Sequence, residues 1–434
     1  MMQTRRQFMG SMSVPAIGLA VGTLAPTPRA DALAVAERLS RVRGQPDELA
    51  RDETYWAPVG RAFTVDRSIV NLNNGGVSPS PAFVQDAMKR HLDYSNTCPP
   101  VAMWRVLEPQ REGVRDRMAR QWGVDPEEIA FTRNASESLQ ICQFGIDLRA
   151  GDEVLTTTQD YPRMLNTFRQ RERREGIRLV EIEIPVPAED EDEIVRLFER
   201  AITPRTRVIL MCHVINLTGQ ILPVRKVCDM AHTHGVPVIV DGAHSLAHFE
   251  FRLSDLNCDY FGTSLHKWLF APHGTGLLYM KRELIKQTWP MMAANETQDD
   301  DIRKFEEIGT HPAANTLAVA EALTFHQGIG PARKEARMRY LRDYWAKVLL
   351  EHDRVRLHTS LDPRFSCGIA TVEVDGLDSG ELSGWLWSKH RILVTAIKHA
   401  QFEGIRVSPS VYSSLEELDR FCEAVQNAIA DGLS

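Results

Sequence analysis

Residues 236–268 read VPVIVDGAHSLAHFEFRLSDLNCDYFGTSLHKW. The apolar run Val236–Val240 suits a strand buried on both faces, and it ends in a carboxylate, Asp241, followed by Gly242, Ala243 and His244. A second strand-like run, DYFGTS at 259–264, comes just before Lys267, which sits among Leu265, His266, Trp268, Leu269 and Phe270. Working outward, the chain from residue 129 alternates short apolar runs with amphipathic stretches. EIAFT leads to SESLQICQFGI, DEVLTT to YPRMLNTFRQRERREG, RLVEIEI to DEIVRLFERAI, and RVILMCHV to PVRKVCDMAHTHG. This alternation predicts an α/β fold with a mostly parallel sheet covered by helices. Such sheets bind ligands beyond the carboxyl ends of their strands, so the residues just after each apolar run are the site candidates.

Asp241 at such an end either caps a following helix or faces a ligand. Lys267 is either a solvated charge or an amine whose charged form is disfavoured by apolar neighbours, which makes it nucleophilic toward a carbonyl. Taken together they suggest pyridoxal 5'-phosphate, which needs a lysine for Schiff-base formation, an acid facing its ring nitrogen and a cradle for its phosphate. TRNASESL (132–139) offers the cradle: it follows the run IAF and opens a helix at Asn134, Ala135 and Ser136.

VDGAHSLAH followed by TSLHKWLFAPHGTGLLY resembles the signature of class V aminotransferases, fold-type I enzymes dependent on pyridoxal phosphate. LNNGGVSPSP (72–81), TRNASESL, HVINLTGQILPV (213–224) and IRVSPSVYSS (405–414) are similar to further family segments in the family's order. GGVSPSP, TRNASESL and DYP are most similar to the isopenicillin N epimerase-like branch. The resemblance implies a large domain with a seven-stranded, mostly parallel sheet between helices and a smaller α+β C-terminal domain. Lys267 would hold the cofactor and shuttle the proton, and Asp241 would pair with the ring nitrogen. Asn216 and His244 would lie near the phenolic oxygen, and Ala135, Ser136, Ser264 and His266 near the phosphate. Tyr161 falls where relatives stack a histidine on the ring, Thr310 where a residue reaches the neighbouring subunit's phosphate in a homodimer, and Arg406 where an arginine binds the substrate α-carboxylate. The implied activity is amino-group transfer or epimerisation at Cα of an amino acid or amino-bearing peptide, with elimination and siderophore-peptide tailoring as alternatives. A persulfide-forming desulfurase is disfavoured, because ILVTAIKHAQFEGIR (392–406) carries no cysteine.

The 434 residues are 43% hydrophobic and 25% charged, with a formal net charge of -7 and no sustained basic run, which disfavours a nucleic-acid partner. Seven widely spaced cysteines without a C-x-x-C pair give neither a disulfide framework nor a zinc ribbon, and no metal is expected. His244 and His248 have i, i+4 spacing but lack the glutamate of H-E-x-x-H. Thr4-Arg5-Arg6-Gln7-Phe8-Met9, ahead of a weakly apolar run too short for a stable membrane span, resembles a twin-arginine export signal. The expectation is a signal segment at 1–32 read by the twin-arginine translocation machinery, and a periplasmic mature protein. An N-terminal segment at 33–70, a large domain at 71–327 and a small domain at 328–434 would follow.

Overall fold

A computed structural model describes residues 32–433, so the expected export signal with Arg5 and Arg6 lies outside the described residues. Helices Ala32–Arg41 and Glu53–Arg61 open the described chain, and a two-residue strand, β1 (Val70–Asn71), follows them. The large sheet contains β2 (Ile129–Thr132), β3 (Glu153–Thr157), β4 (Arg178–Ile182), β5 (Thr206–Cys212), β6 (Val238–Asp241), β7 (Tyr260–Ser264) and β8 (Gly276–Met280). Its order is β2-β8-β7-β6-β5-β3-β4, with β8 antiparallel to both neighbours and the other pairs parallel.

Successive side chains of these strands enter two different apolar cores. Val238 and Val240 join Ile209, Met211 and Phe261 on one face, while Ile239 joins Val208, Leu210 and Tyr260 on the other. Both faces of the sheet are therefore dry, which is why the strands read as continuous apolar runs rather than alternating ones. Glycines set two close approaches. A Cβ on Gly262 of β7 would stand 2.8 Å from Leu139, so helix Ala135–Gly145 can lie directly against that strand, and a Cβ on Gly242 would fall 1.9 Å from the Phe261 ring.

A second sheet has the order β12-β13-β10-β9, built from β9 (Val355–Leu357), β10 (Ala370–Val374), β12 (Thr395–Lys398) and β13 (Glu403–Val407), all antiparallel. Between β10 and β12 the short β11 (Ile392–Leu393) pairs in parallel with β1. Val70 and Leu72 thus join a core made with Leu341, Trp345, Ile405, Phe421 and Val425, from far along the chain. The same threading continues through a bridge between Asn73 and Ser408 and delivers residues 73–76 to the carboxyl edge of the large sheet. The N-terminal helices are bound to this junction: Arg337, fully buried on helix Pro331–Leu349, donates to the Ala50 carbonyl at 2.9 Å and to Glu53 Oε1 at 2.6 Å.

Candidate active site

The parallel strands bring their carboxyl ends to one edge. There a cavity of about 540 Å³ is lined by Gly75, Asn134–Ser136, Tyr161, Asn216, Asp241, His244, Ser264, His266, Lys267 and Arg406, among others. Ten of the eleven residues singled out from the sequence meet here. Thr310, the eleventh, is exposed and does not line this cavity within its own chain.

Asn134 begins the cradle in an extended conformation, its Oδ1 accepting the Glu137 N–H at 2.9 Å. The Ala135 N–H donates to Ser264 Oγ at 2.9 Å, so two groups expected to touch a phosphate separately are instead joined to each other. His266 Nδ1 must carry a proton to donate to the Thr275 carbonyl at 3.0 Å, and burial, aided by Lys267, lowers its pKa to about 4. The neutral ring therefore has an accepting Nε2, which becomes a phosphate donor only by taking up a proton.

Lys267 and Asp241 follow adjacent strands, with Asp241 in register with Gly262 of β7. Part of Lys267 is accessible, on the cavity side, yet protein surrounds the amine, and burial pulls its pKa down to about 8 against the opposing pull of Asp241. Asp241 is buried and raised to about 6, again by burial. Its Oδ1 accepts the Ala243 N–H at 2.9 Å within a turn; no regular helix starts there, so the helix-cap alternative falls away. His244 Nε2 stands 3.2 Å from Lys267 Nζ, and burial, with help from Lys267 and Arg406, holds its pKa well below the usual histidine value.

Arg406, on β13, is a buried guanidinium without a carboxylate partner among the described residues. It donates to the Asn216 carbonyl and to Asn73 Oδ1, both at 2.8 Å, while its Nε has no partner, and burial lowers its pKa to about 10. His244 Nδ1 and Asn216 Oδ1 are likewise buried and, among the described residues, unpartnered. What marks the cavity is its lining: an amine, a carboxylate, imidazoles and a guanidinium that has no carboxylate partner among the described residues. Their chemistry fits an anionic, polar-edged aromatic cofactor together with an amino acid carboxylate.

The family described as "Aminotransferase class-V" matches residues 70–421. This chain belongs to the class V aminotransferase family. An isopenicillin N epimerase of Streptomyces clavuligerus is 28% identical over 395 residues, covering 85% of this chain and 97% of that protein. A probable cysteine desulfurase of Vibrio cholerae is 25% identical over 386 residues, covering 83% and 94%. Among solved structures, a C-DES mutant with glycine covalently linked to its pyridoxal phosphate superposes with a TM-score of 0.74 at 22% identity, covering 84% of this chain and 97% of that one. The fold is that of fold-type I enzymes, and this class V protein is pyridoxal-phosphate-dependent.

Several residues of this class V site escape the reading of strand ends. Asn73 reaches Arg406 through the bridge to Ser408, a contact that no local pattern announces. Thr395 and Ile397 line the cavity from one face of β12. Cys212 could have been found, since it ends β5 in register with Asp241; burial and the nearby carboxylates of Asp160 and Asp241 keep its thiol protonated. His248 is committed elsewhere. Its Nδ1–H donates to the His244 carbonyl at 2.8 Å and its Nε2 accepts the Gly368 N–H at 2.9 Å, which leaves neither nitrogen for a metal shared with His244.

Proposed function

We propose that this class V enzyme transfers the amino group of an amino acid or amino-bearing peptide. The observation that carries this reading is the pairing of one nucleophilic amine, Lys267, with an unpaired buried guanidinium, Arg406, across a single cavity. Bound pyridoxal phosphate supplies a ring that withdraws electrons from the substrate Cα. Arg406 takes both oxygens of the α-carboxylate in a bidentate clamp and so fixes which Cα bond faces Lys267. Lys267, neutral in a large fraction of molecules near pH 8, accepts the Cα proton on its Nζ and would deliver it to the cofactor carbon rather than back to Cα, the relocation that amino-group transfer requires. Asp241 carries the negative charge that balances a protonated ring nitrogen, and His244 and Asn216 line the cavity where they would meet the cofactor's edge.

Transfer needs only one proton-moving group, whereas epimerisation needs a second on the opposite side of Cα. Tyr161, which lines the cavity after β3, is our candidate for that second group, and with the epimerase relatives it supports epimerisation as the second reading. Against a persulfide route stands the absence of cysteine between Ile392 and Arg406, together with the protonated state of Cys212. The Thr4–Met9 segment supports twin-arginine export to the periplasm, and Thr310, exposed and away from its own cavity, supports a homodimer with shared sites.

The test is single-turnover incubation of holoenzyme with a panel of amino acids and amino-bearing peptides in heavy water, without an acceptor. One equivalent of 2-oxo product supports transfer. A deuterated, inverted product without any oxo compound would replace it by epimerisation, and Tyr161→Phe should then abolish activity.

A further inference from the structure

The turn that follows Lys267 is built at a cost. Phe270 has φ 61°, a left-handed conformation that a bulky aromatic residue adopts only under constraint. The turn's own hydrogen bonds are few: the Phe270 N–H reaches the Lys267 carbonyl at a long 3.4 Å, and the Ala271 N–H reaches the Leu265 carbonyl at 3.1 Å. Strain of this kind persists where the surroundings over-determine it, and it gathers at functional sites.

What over-determines it comes from helix Pro331–Leu349. Lys334, with no exposed surface, donates from Nζ to the Trp268 carbonyl and lies 4.1 Å from the centroid of the Phe270 ring. The ring is held on another side by Phe63, edge-on with centroids 5.3 Å apart. The titratable neighbours of the amine are His248, His326 and Cys367; no carboxylate among the described residues pairs with it, and burial holds its pKa well below the usual lysine value. In either protonation state an amine with one carbonyl acceptor is under-satisfied, so a methionine of similar shape would serve stability at least as well. Trp268 is gripped from its other side too: its ring stacks on His248 at 4.0 Å and 7°, and His248 holds the carbonyl of His244, whose Nε2 meets Lys267 Nζ.

We propose that Lys334 is a positioning residue for Lys267: by holding the Trp268 carbonyl and the Phe270 ring, it keeps the strained turn in the one geometry that aims Nζ at His244 and the cofactor. The inference rests on Lys267 being the point of cofactor attachment, but goes beyond the proposed reaction, since any chemistry at Lys267 would need the same aim.

The experiment compares wild-type and Lys334→Met holoenzymes, after borohydride reduction and peptide mass have located the attached cofactor. Attachment elsewhere than Lys267 overturns both this proposal and the reading of the site. With attachment at Lys267, the pH midpoint of the bound cofactor's visible band should move by about half a pH unit or more, and cofactor dissociation should become about tenfold easier. The thermal midpoint of the apo protein should stay level or rise, which a purely structural role would not produce. An unmoved band and unchanged dissociation in Lys334→Met overturn the role of Lys334 alone. If that variant does not fold, wild-type protein with carbon-13 at lysine Cε gives the reciprocal reading, because coupling between the two amines acts in both directions. The Lys334 resonance must then shift on cofactor loading; a resonance unaffected by loading overturns the proposal.

Discussion

Replacing Asp241 by asparagine should change Lys267 and the chemistry in opposite directions. Asp241 is the cavity carboxylate that opposes the burial of Lys267, whose pKa of about 8 compares with an ordinary 10.5. At pH 7 roughly one amine in ten is then neutral, against about one in three thousand for an ordinary lysine, a gain of about 300-fold in reactive form. Asp241, at about 6, is largely ionised at that pH and raises the Lys267 pKa. Asp241→Asn removes that pull, so the Lys267 midpoint should fall below 8, and reactivity at pH 7 should rise by up to about tenfold, the ceiling set by full deprotonation. Below pH 6 the effect should fade, since wild-type Asp241 is itself protonated there. Trace acetylation of the apo protein across pH 5.5–10, read on the Lys267 peptide, measures this without the cofactor. The same variant should slow exchange of the substrate Cα hydrogen by about two orders of magnitude or more, because removing one member of a buried charge pair typically costs about 3 kcal/mol or more. A Lys267 midpoint that stays put or rises in Asp241→Asn would refute the electrostatic reasoning.

Arg406→Gln should raise KM for the amino donor by about tenfold to a hundredfold, since a bidentate charge-assisted contact is lost, while stability should fall by about 1–3 kcal/mol because the Asn216 carbonyl and Asn73 Oδ1 lose donors; steady-state kinetics and calorimetry check the pair of effects. Loading pyridoxal phosphate at pH 7 should draw in a proton at His266, whose Nε2 otherwise only accepts, and His266→Gln should abolish that uptake; titration calorimetry in buffers of different ionisation enthalpy measures it. Gly242→Ala would place a methyl 1.9 Å from the Phe261 ring, and the forced repacking should cost about 1–3 kcal/mol, visible as a lower denaturation midpoint.

Asp241 and Lys267 were legible because each follows an apolar run, and a parallel sheet buried on both faces turns such positions into a shared edge. The direction of β8 was in principle also readable: residues 265–275 are too few for a helical crossover, which forces an antiparallel return. Asn73 was not readable, because its contact with Arg406 spans 333 positions and depends on β1 pairing with a strand of the C-terminal unit. Lys334 was hidden for a different reason. It sits in PARKEARMRYLRDYW, where a lysine looks like one more solvated charge; Arg337 and Arg342 of the same helix are buried too, and what sets Lys334 apart is its contact with the Phe270 ring and the Trp268 carbonyl. Ala135 and Ser264 show a third limit, since the helix start pointed to one and the family resemblance to the other, and neither could say that they bond to each other.

The features that mark this site are all unfavourable to the fold by itself. Arg406 is buried without an anion among the described residues, Asp241 is pushed toward protonation, and the turn after Lys267 holds Phe270 in a left-handed conformation. A core filled with apolar residues would remove each of these costs, so stability alone does not account for them. The charged groups share one remedy: an anion for Arg406 and the cradle, and a cation opposite Asp241. Pyridoxal phosphate with an amino acid carries that set of charges, and the protein is therefore expected to gain stability on loading in proportion to how many of these groups each ligand satisfies.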